Sequence, residues 1–288
     1  MKQITKVNKR LLIQITVLIT VIISAFNHYL ISINKPIPWI SESIFHYICP
    51  TCGVTSIYLF ITSSTLWVDK IKSILGLVIG LSIILTIILG PVICGFICPF
   101  GAIQDLVPRV GKKIFRGKYN NFISKKLDNK LKYLRYISLV LAVILTASSS
   151  VMVLQAINPY HAFLAIFNRS SISLIGVFIL ILIILGSLFI QRPWCKYLCP
   201  YGAFLGIFNK FKVFRVVRDK DRCLNCKRCN KKCPMGIEIQ TNQALRDVRC
   251  ISCLDCVDKK VCPKANTIYF TSKDLEENTN LDESLEVK

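Results

Sequence analysis

Four long apolar stretches, separated by polar or strongly basic segments, set the plan of the chain. They cover residues 11–33, 73–93, 134–154 and 174–190. Each has, or nearly has, the length that crosses about 30 Å of hydrocarbon at 1.5 Å per residue, so each predicts a transmembrane helix. The first follows Lys2, Lys6, Lys9 and Arg10. Its apolar run is too long for a signal peptide and no small-x-small cleavage site stands out, which predicts a retained anchor. A fifth stretch, residues 53–68, is shorter and carries Thr55, Ser56, Thr62, Ser63, Ser64 and Thr65.

Charge decides how these stretches are threaded. Residues 109–135 hold ten Lys or Arg against one acid, Asp128. The N-terminus and residues 192–232 are similarly basic, whereas residues 155–173 hold only Arg169. Basic loops stay in the cytoplasm. Four spans put all three basic regions on that side, with both termini. A full span at 53–68 would export the ten-cation loop, so that stretch reads as re-entrant or interfacial. Trp39, Trp67 and Trp194 fall near predicted boundaries, as an aromatic belt does. The expected localisation is the cell membrane, multi-pass.

Composition agrees. The chain has 288 residues, 53% of them hydrophobic, a mean hydropathy of +0.51 and a formal charge of +21. Apolar spans joined by basic loops combine those properties; a soluble domain does not. The cations cluster beside span ends and no nucleic-acid-reading motif accompanies them, so nucleic acid is not an expected partner. Anionic lipid headgroups of the bilayer are, and an acidic redox partner protein would be steered to the basic face. Residues 274–288, with Glu276, Glu277, Asp282, Glu283 and Glu286, read as a disordered acidic tail.

The chemistry lies in the 14 cysteines. Eight form two runs: Cys223-x2-Cys226-x2-Cys229-x3-Cys233-Pro234 and Cys250-x2-Cys253-x2-Cys256-x5-Cys262-Pro263. Three thiolates two residues apart, then a fourth before proline, is the spacing of a bacterial two-cluster [4Fe–4S] ferredoxin. In such pairs the fourth ligands cross over. Cys223, Cys226, Cys229 and Cys262 would hold one cluster, and Cys250, Cys253, Cys256 and Cys233 the other. Structural zinc prefers two CxxC halves, and an eight-cysteine disulfide framework belongs to secreted chains.

Two further motifs repeat. Cys94-Gly-Phe-Ile-Cys98-Pro-Phe-Gly-Ala follows the second apolar stretch, and Cys195-Lys-Tyr-Leu-Cys199-Pro-Tyr-Gly-Ala follows the fourth. The constant offset points to duplicated helix-pair units. Three readings compete for Cys94, Cys98, Cys195 and Cys199: ligands of a further cluster, redox-active dithiols, or small buried residues at packing points. The repetition argues against the last. Gly101 and Gly202 are expected to permit a tight exit turn while Pro99 and Pro200 help end the helix. A third pair, Cys49-Pro-Thr-Cys52, falls on the outer side and is a candidate redox dithiol, with a structural disulfide or part of a metal site as the other readings. His28, His46 and His161 fall on the outer half. His28 with His161 is a conceivable haem pair, and His46, Tyr160 or His161 a conceivable donor to a quinone headgroup.

On the motifs Cys94–Pro99, Cys195–Pro200 and Cys223–Pro263, the whole chain resembles the membrane-bound polyferredoxins of the NapH type. These include the quinol-dehydrogenase membrane subunit of periplasmic nitrate reductase systems, the ferredoxin-type membrane proteins of methylamine utilisation and the membrane core of the nitrous-oxide reductase regulator. The resemblance implies membrane electron transfer, often from quinol toward a respiratory or maturation partner. Two features depart from it. The Cys49-Pro-Thr-Cys52 pair is not part of the pattern, and five residues rather than three precede Cys262.

The sequence therefore predicts an α-helical membrane protein of four transmembrane helices with a re-entrant segment. Residues 1–216 form the membrane domain, 217–271 a C-terminal α+β two-cluster ferredoxin domain, and 272–288 the tail. The expected function is relay of single electrons between the ferredoxin domain and a membrane partner such as quinone. The alternative is a maturation factor that delivers reducing equivalents to an extracytoplasmic thiol or metal centre, which Cys49 and Cys52 would favour.

Overall fold

The computed structural model describes residues 9–33, 74–115, 119–120, 122–148, 156–168, 173–258, 260–264 and 267–272. The chain forms two compact units. One draws on residues 1–81 and 93–204, the other on residues 82–92 and 205–288.

In the first unit, helix α1 (Lys9–Ser32) is followed by α2 (Ile74–Leu89), whose second half belongs to the other unit. A single π-type turn, Ile93–Ile97, leads into α3 (Pro99–Phe115). Then come α4 (Lys125–Leu131), α5 (Leu134–Ala147), α6 (Pro159–Asn168), α7 (Leu174–Phe189), the short α8 (Pro193–Tyr197) and α9 (Pro200–Asn209), whose second half belongs to the other unit. Helices α1, α3, α6 and α7 pack together around Val21, Ala25, Phe100, Tyr160, Leu164 and Leu180. Phe100 meets Tyr160 and Trp194 edge to face, the arrangement that aromatic quadrupoles favour. Close approach fixes the α3–α7 crossing. A Cβ on Gly111 would lie 2.2 Å from the Leu188 carbonyl oxygen.

Each of the four apolar stretches contains a helix, but three of the helices are shorter than their stretches. Helix α1 has 24 residues. Its segment Arg10–Ile31 is, among the described residues, the one helix long and apolar enough to cross a membrane. Helices α2 and α7 have 16 residues each and α5 has 14. At 1.5 Å per residue, 16 residues span about 24 Å. At α2 the backbone breaks inside the apolar run, and at α7 it breaks just past the run's end. Gly90 turns to φ +84° ahead of Pro91 at the end of α2, and Arg192 to φ +53° ahead of Pro193 beyond α7. The outer faces stay apolar. Ile175, Phe178, Leu182 and Leu185 on α7, and Ile137, Val140, Leu141 and Ile144 on α5, are all exposed. Such continuous apolar faces call for a covering medium or partner.

Two expectations are corrected. Pro99 and Pro200 do not end helices; each opens one, where a missing N–H costs nothing and φ is already helical. Gly101 and Gly202 accordingly lie inside α3 and α9 and form no exit turn. Residues 155–173, read as a loop, contain α6, whose Tyr160 is 1% exposed and packed against Phe100 rather than offered to a ligand at the surface. Residues 53–68, the outer cysteine pair, His46, Trp39, Trp67 and the acidic tail lie outside the described residues.

The second unit holds a three-stranded antiparallel sheet. Strand β1 (Arg215–Arg218) lies between β2 (Ala244–Leu245) and β3 (Ile268–Thr271), with Val216 opposite Leu245 on one side and Phe270 on the other. A one-turn helix, α10 (Arg228–Lys232), lies between β1 and β2 in the chain. Ahead of β1, Val213 and Phe214 donate their N–H groups to the Ile87 and Ile88 carbonyls of α2, at 2.8 and 2.9 Å. Gly90 is wedged in the same unit: a Cβ there would lie 2.1 Å from Ser252 Oγ.

Candidate metal centres

In the second unit the two cysteine triplets fold alike. Each wraps around its middle cysteine with left-handed residues on either side: Asn225 and Lys227 about Cys226, Ser252 and Leu254 about Cys253, all at φ between 48° and 59°. A left-handed conformation costs an L-residue roughly 1–2 kcal/mol. Four such residues at matching positions mean that the surrounding structure holds both loops in one shape. Alternating backbone handedness also turns successive N–H groups inward, the geometry that cradles anions.

Each triplet lines a cavity together with the single cysteine that closes the other run. Cys233, Cys250, Cys253 and Cys256 share one of about 350 Å3, counted with its open mouth. Cys223, Cys226, Cys229 and Cys262 share another of about 370 Å3 on the same measure. The crossing follows from the fold. The chain leaves each triplet and passes to the other cavity before its fourth cysteine, Cys233 after α10 and Cys262 ahead of β3.

The two cavities differ in burial. Met235, Ile237, Ile239 and Leu245 line the first and are each 3% exposed or less. The second opens at Cys226 and Leu224, which is 64% exposed, and Lys227 and Lys264 stand at its rim. Burial raises the Cys233 thiol to about 11, opposed by N–H donors from Ile237 and Met235 and by the Arg249 charge. Burial likewise pushes Cys256 well above the ordinary thiol range. Asn230 Oδ1 accepts the Ile239 and Gln240 N–H groups at 2.8 and 3.1 Å and ties α10 to the link beyond Cys233.

Four sulfurs around an apolar cavity, with inward N–H groups, fit an iron–sulfur cubane, in which each thiolate binds a different iron. Among the described residues, no group of three or more His, Cys, Asp or Glu closes on a single metal ion.

In the first unit the repeat motifs meet. Each of Cys94, Cys98, Cys195 and Cys199 lies within electrostatic reach of the other three. Both motifs close with the same wide turn: Cys98 N–H donates to the Ile93 carbonyl at 2.8 Å, and Cys199 N–H to the Trp194 carbonyl at 2.9 Å. Cys199 is buried and the other three are half-buried. Its sulfur accepts the Gly202 N–H at 3.3 Å at the start of α9.

An ion-pair network that the sequence reading missed adjoins them. Arg192 is fully buried and donates to both Asp105 oxygens, at 2.8 and 2.6 Å, and to the Cys94 carbonyl at 2.7 Å. Arg10 pairs with the same carboxylate, and Gln14 donates to it and to the Gly95 carbonyl. Burial would raise Asp105, but the Arg192 charge and hydrogen bond, then Arg10 and Gln14, outweigh it and hold the carboxyl at about 2. Gln104 Nε2 lies 3.6 Å from Cys195 Sγ, and its Oε1 accepts the Trp194 N–H at 3.1 Å. The repeat carried a signal for these residues. At its offset of 101, Gln104 and Asp105 correspond to Leu205 and Gly206, and Arg192 to Pro91, so the polar side chains stand in one copy only. His28 on α1 and His161 on α6 are half-buried.

Comparison with known proteins agrees with this chemistry. A family model described as a 4Fe-4S binding domain matches residues 73–118 and 172–218. Each match contains one Cys-x3-Cys-Pro motif, and neither reaches Cys223. The uncharacterized protein MJ0750 of Methanocaldococcus jannaschii is 36% identical over 59% of this chain and 68% of its own length. YccM of Escherichia coli, provisionally named an electron transport protein, is 29% identical over 61% of this chain and 50% of its own length. The ferredoxin-type protein NapH of Escherichia coli is 24% identical over 57% of this chain and 56% of its own length. The chain thus spans about half to two thirds of these relatives. No solved structure matches it significantly.

Proposed function

The chain belongs to the NapH-type family of ferredoxin-type iron–sulfur electron-transport proteins, and from that membership we propose that it relays single electrons between a soluble partner and the quinone pool of a membrane. The observation that carries this reading is the pair of four-cysteine cavities, each built from one triplet and one crossing cysteine, in a chain with a helix of membrane-spanning length.

Cys223, Cys226, Cys229 and Cys262 would hold one [4Fe–4S] cluster, and Cys250, Cys253, Cys256 and Cys233 the other. Such a cluster, when bound, supplies one-electron exchange without bond making at the protein. The protein supplies position, dielectric and hydrogen bonds. The apolar wall of Met235, Ile237 and Ile239 excludes water from the buried cavity. The open cavity, edged by Lys227 and Lys264, is the natural point of exchange with an acidic redox protein. Charge asymmetry supports four spans with both termini cytoplasmic, and the exposed apolar faces of α5 and α7 support contact with lipid.

The test uses full-length protein purified anaerobically in detergent. After reduction with dithionite, addition of a short-chain quinone should bleach the cluster absorbance, with repeated turnover in vesicles. Protein that holds its iron yet is not oxidised by any quinone would rule out the quinone terminus. Protein that carries zinc and no iron would rule out the whole reading.

A further inference from the structure

We infer that Asn209, the last residue of α9, is the positioning residue of the buried metal centre. It holds the loop of the second cysteine triplet in the shape that turns its N–H groups toward the cluster. The inference rests on the assignment of Cys233, Cys250, Cys253 and Cys256 to one cluster, and it does not depend on the quinone reading.

The need arises from the loop's own backbone. Ser252 and Leu254, left-handed on either side of Cys253, turn successive N–H groups toward the cavity. The carbonyls of such a loop then face away from it, and a buried carbonyl without a donor is costly. Water does not supply the donors here, because Cys250, Ile251 and Ser252 are each 8% exposed or less. Asn209 does. It is wholly buried, and its amide nitrogen donates to the Asp247 carbonyl at 2.9 Å and to the Cys250 carbonyl at 3.0 Å. One side chain thus satisfies two carbonyls of the chain that enters the triplet. The first triplet makes no such demand: Leu224, Asn225 and Cys226 are exposed, and their backbone is open to water.

Neighbouring contacts hold the amide and the loop together. A Cβ on Gly90 would lie 2.1 Å from Ser252 Oγ and 3.1 Å from Asn209 Oδ1, so the turn that ends α2 packs against both residues. On the other flank, the Arg249 guanidinium donates to both Asp247 carboxylate oxygens at 3.0 and 2.8 Å, and the Arg249 N–H donates to the same carboxylate at 2.8 Å. The first triplet is entered by a similar turn, in which Asp219 accepts the Asp221 and Arg222 N–H groups at 2.8 and 3.2 Å. The aspartate turn is therefore common to both loops, whereas the Asn209 clasp serves the buried one. Asn209 also lies ahead of residues 217–271, so a residue outside the ferredoxin segment shapes a centre inside it.

The experiment uses full-length protein reconstituted anaerobically and reduced with dithionite, with the two cluster EPR signals assigned by C226S and C253S. Asn209→Leu and Asn209→Asp keep the approximate size of the side chain and remove its donors. Each should broaden the signal that C253S abolishes and shift its midpoint potential, while the signal that C226S abolishes keeps its shape and potential. Hydrogen exchange read by mass spectrometry gives a second measurement on the same holoprotein. The N–H groups of residues 251–254 should exchange about thirtyfold faster in Asn209→Leu, as the loss of two buried hydrogen bonds implies, and those of residues 224–227 at the wild-type rate. An unchanged C253S-sensitive signal, or unchanged exchange at residues 251–254, would overturn this inference alone. Equal change in both signals would also overturn it, because the residue would then act on the fold at large. Survival of both signals in C253S would overturn the ligand assignment and this inference with it.

Discussion

At Arg192 a single residue does three jobs that its position before proline hides. It adopts the left-handed conformation that opens α8, it pairs with Asp105, and it holds the Cys94 carbonyl. Asp105 is its counterpart. Held at about 2 in the fold, against about 3.9 unfolded, this carboxyl stabilises the protein fully above about pH 4 and loses that contribution as pH falls toward 2. The shift corresponds to about 2.6 kcal/mol. Wild type should therefore exceed Asp105→Asn in stability by about 3 kcal/mol near neutral pH, because the variant leaves buried guanidiniums unpaired. That margin should shrink between pH 4 and 2, as followed by thermal unfolding in detergent. A margin unchanged across that interval would refute the role given to Asp105. At the eight ferredoxin cysteines, the crossed arrangement predicts that Cys233→Ser and Cys253→Ser abolish the same EPR signal, and Cys262→Ser the other. If Cys233→Ser instead removed the signal lost in Cys226→Ser, the ligand sets would run in sequence order.

Two glycines govern how elements meet. Gly111 lets α3 and α7 touch backbone to backbone, and no side chain fits in 2.2 Å. Gly111→Val should cost more than about 2 kcal/mol through overpacking at that crossing, read as a lowered unfolding midpoint. Gly90 combines a positive φ with the Ser252 contact, inside the loop that carries Cys250 and Cys253. Gly90→Ala should thus broaden or abolish the signal of the cluster assigned to Cys233, Cys250, Cys253 and Cys256 while sparing its neighbour. Equal loss of both signals would show that the substitution acts by global unfolding. The shortened helices belong to this scale too. The backbone break at Gly90 stops α2 while its apolar run continues to Ile93, so hydropathy alone overestimates its length.

For the molecule as a whole, the basic surface and the open cysteine cavity predict an ionic-strength effect. Electron exchange with an acidic soluble ferredoxin should slow steeply between low salt and about 0.15 M, where the Debye length is about 8 Å. Exchange with a neutral dye should not. A rate independent of salt would remove the case for an acidic partner. Reporter fusions after residues 70, 120, 170 and 288 would read the four-span topology directly. A fusion after residue 120 active outside the cell would refute it.

The sequence alone determined the chemistry. Cysteine spacing is a local property, so the two triplets, the prolines that follow and the repeated Cys-x3-Cys-Pro motifs could be read in order along the chain. Apolar periodicity likewise located α1, α2, α5 and α7, because burial in lipid or protein selects the same residues. Tertiary structure alone decided which distant groups meet. The left-handed turns at Ser252 and Leu254 depend on what the loop encloses, and no local preference for such turns marks Leu254. The convergence of Arg10, Asp105 and Arg192 joins residues about ninety positions apart. Their pairing comes from the packing of α1, α3 and the turn before α8, and a buried charge declares its partner only when the helices that carry both have closed.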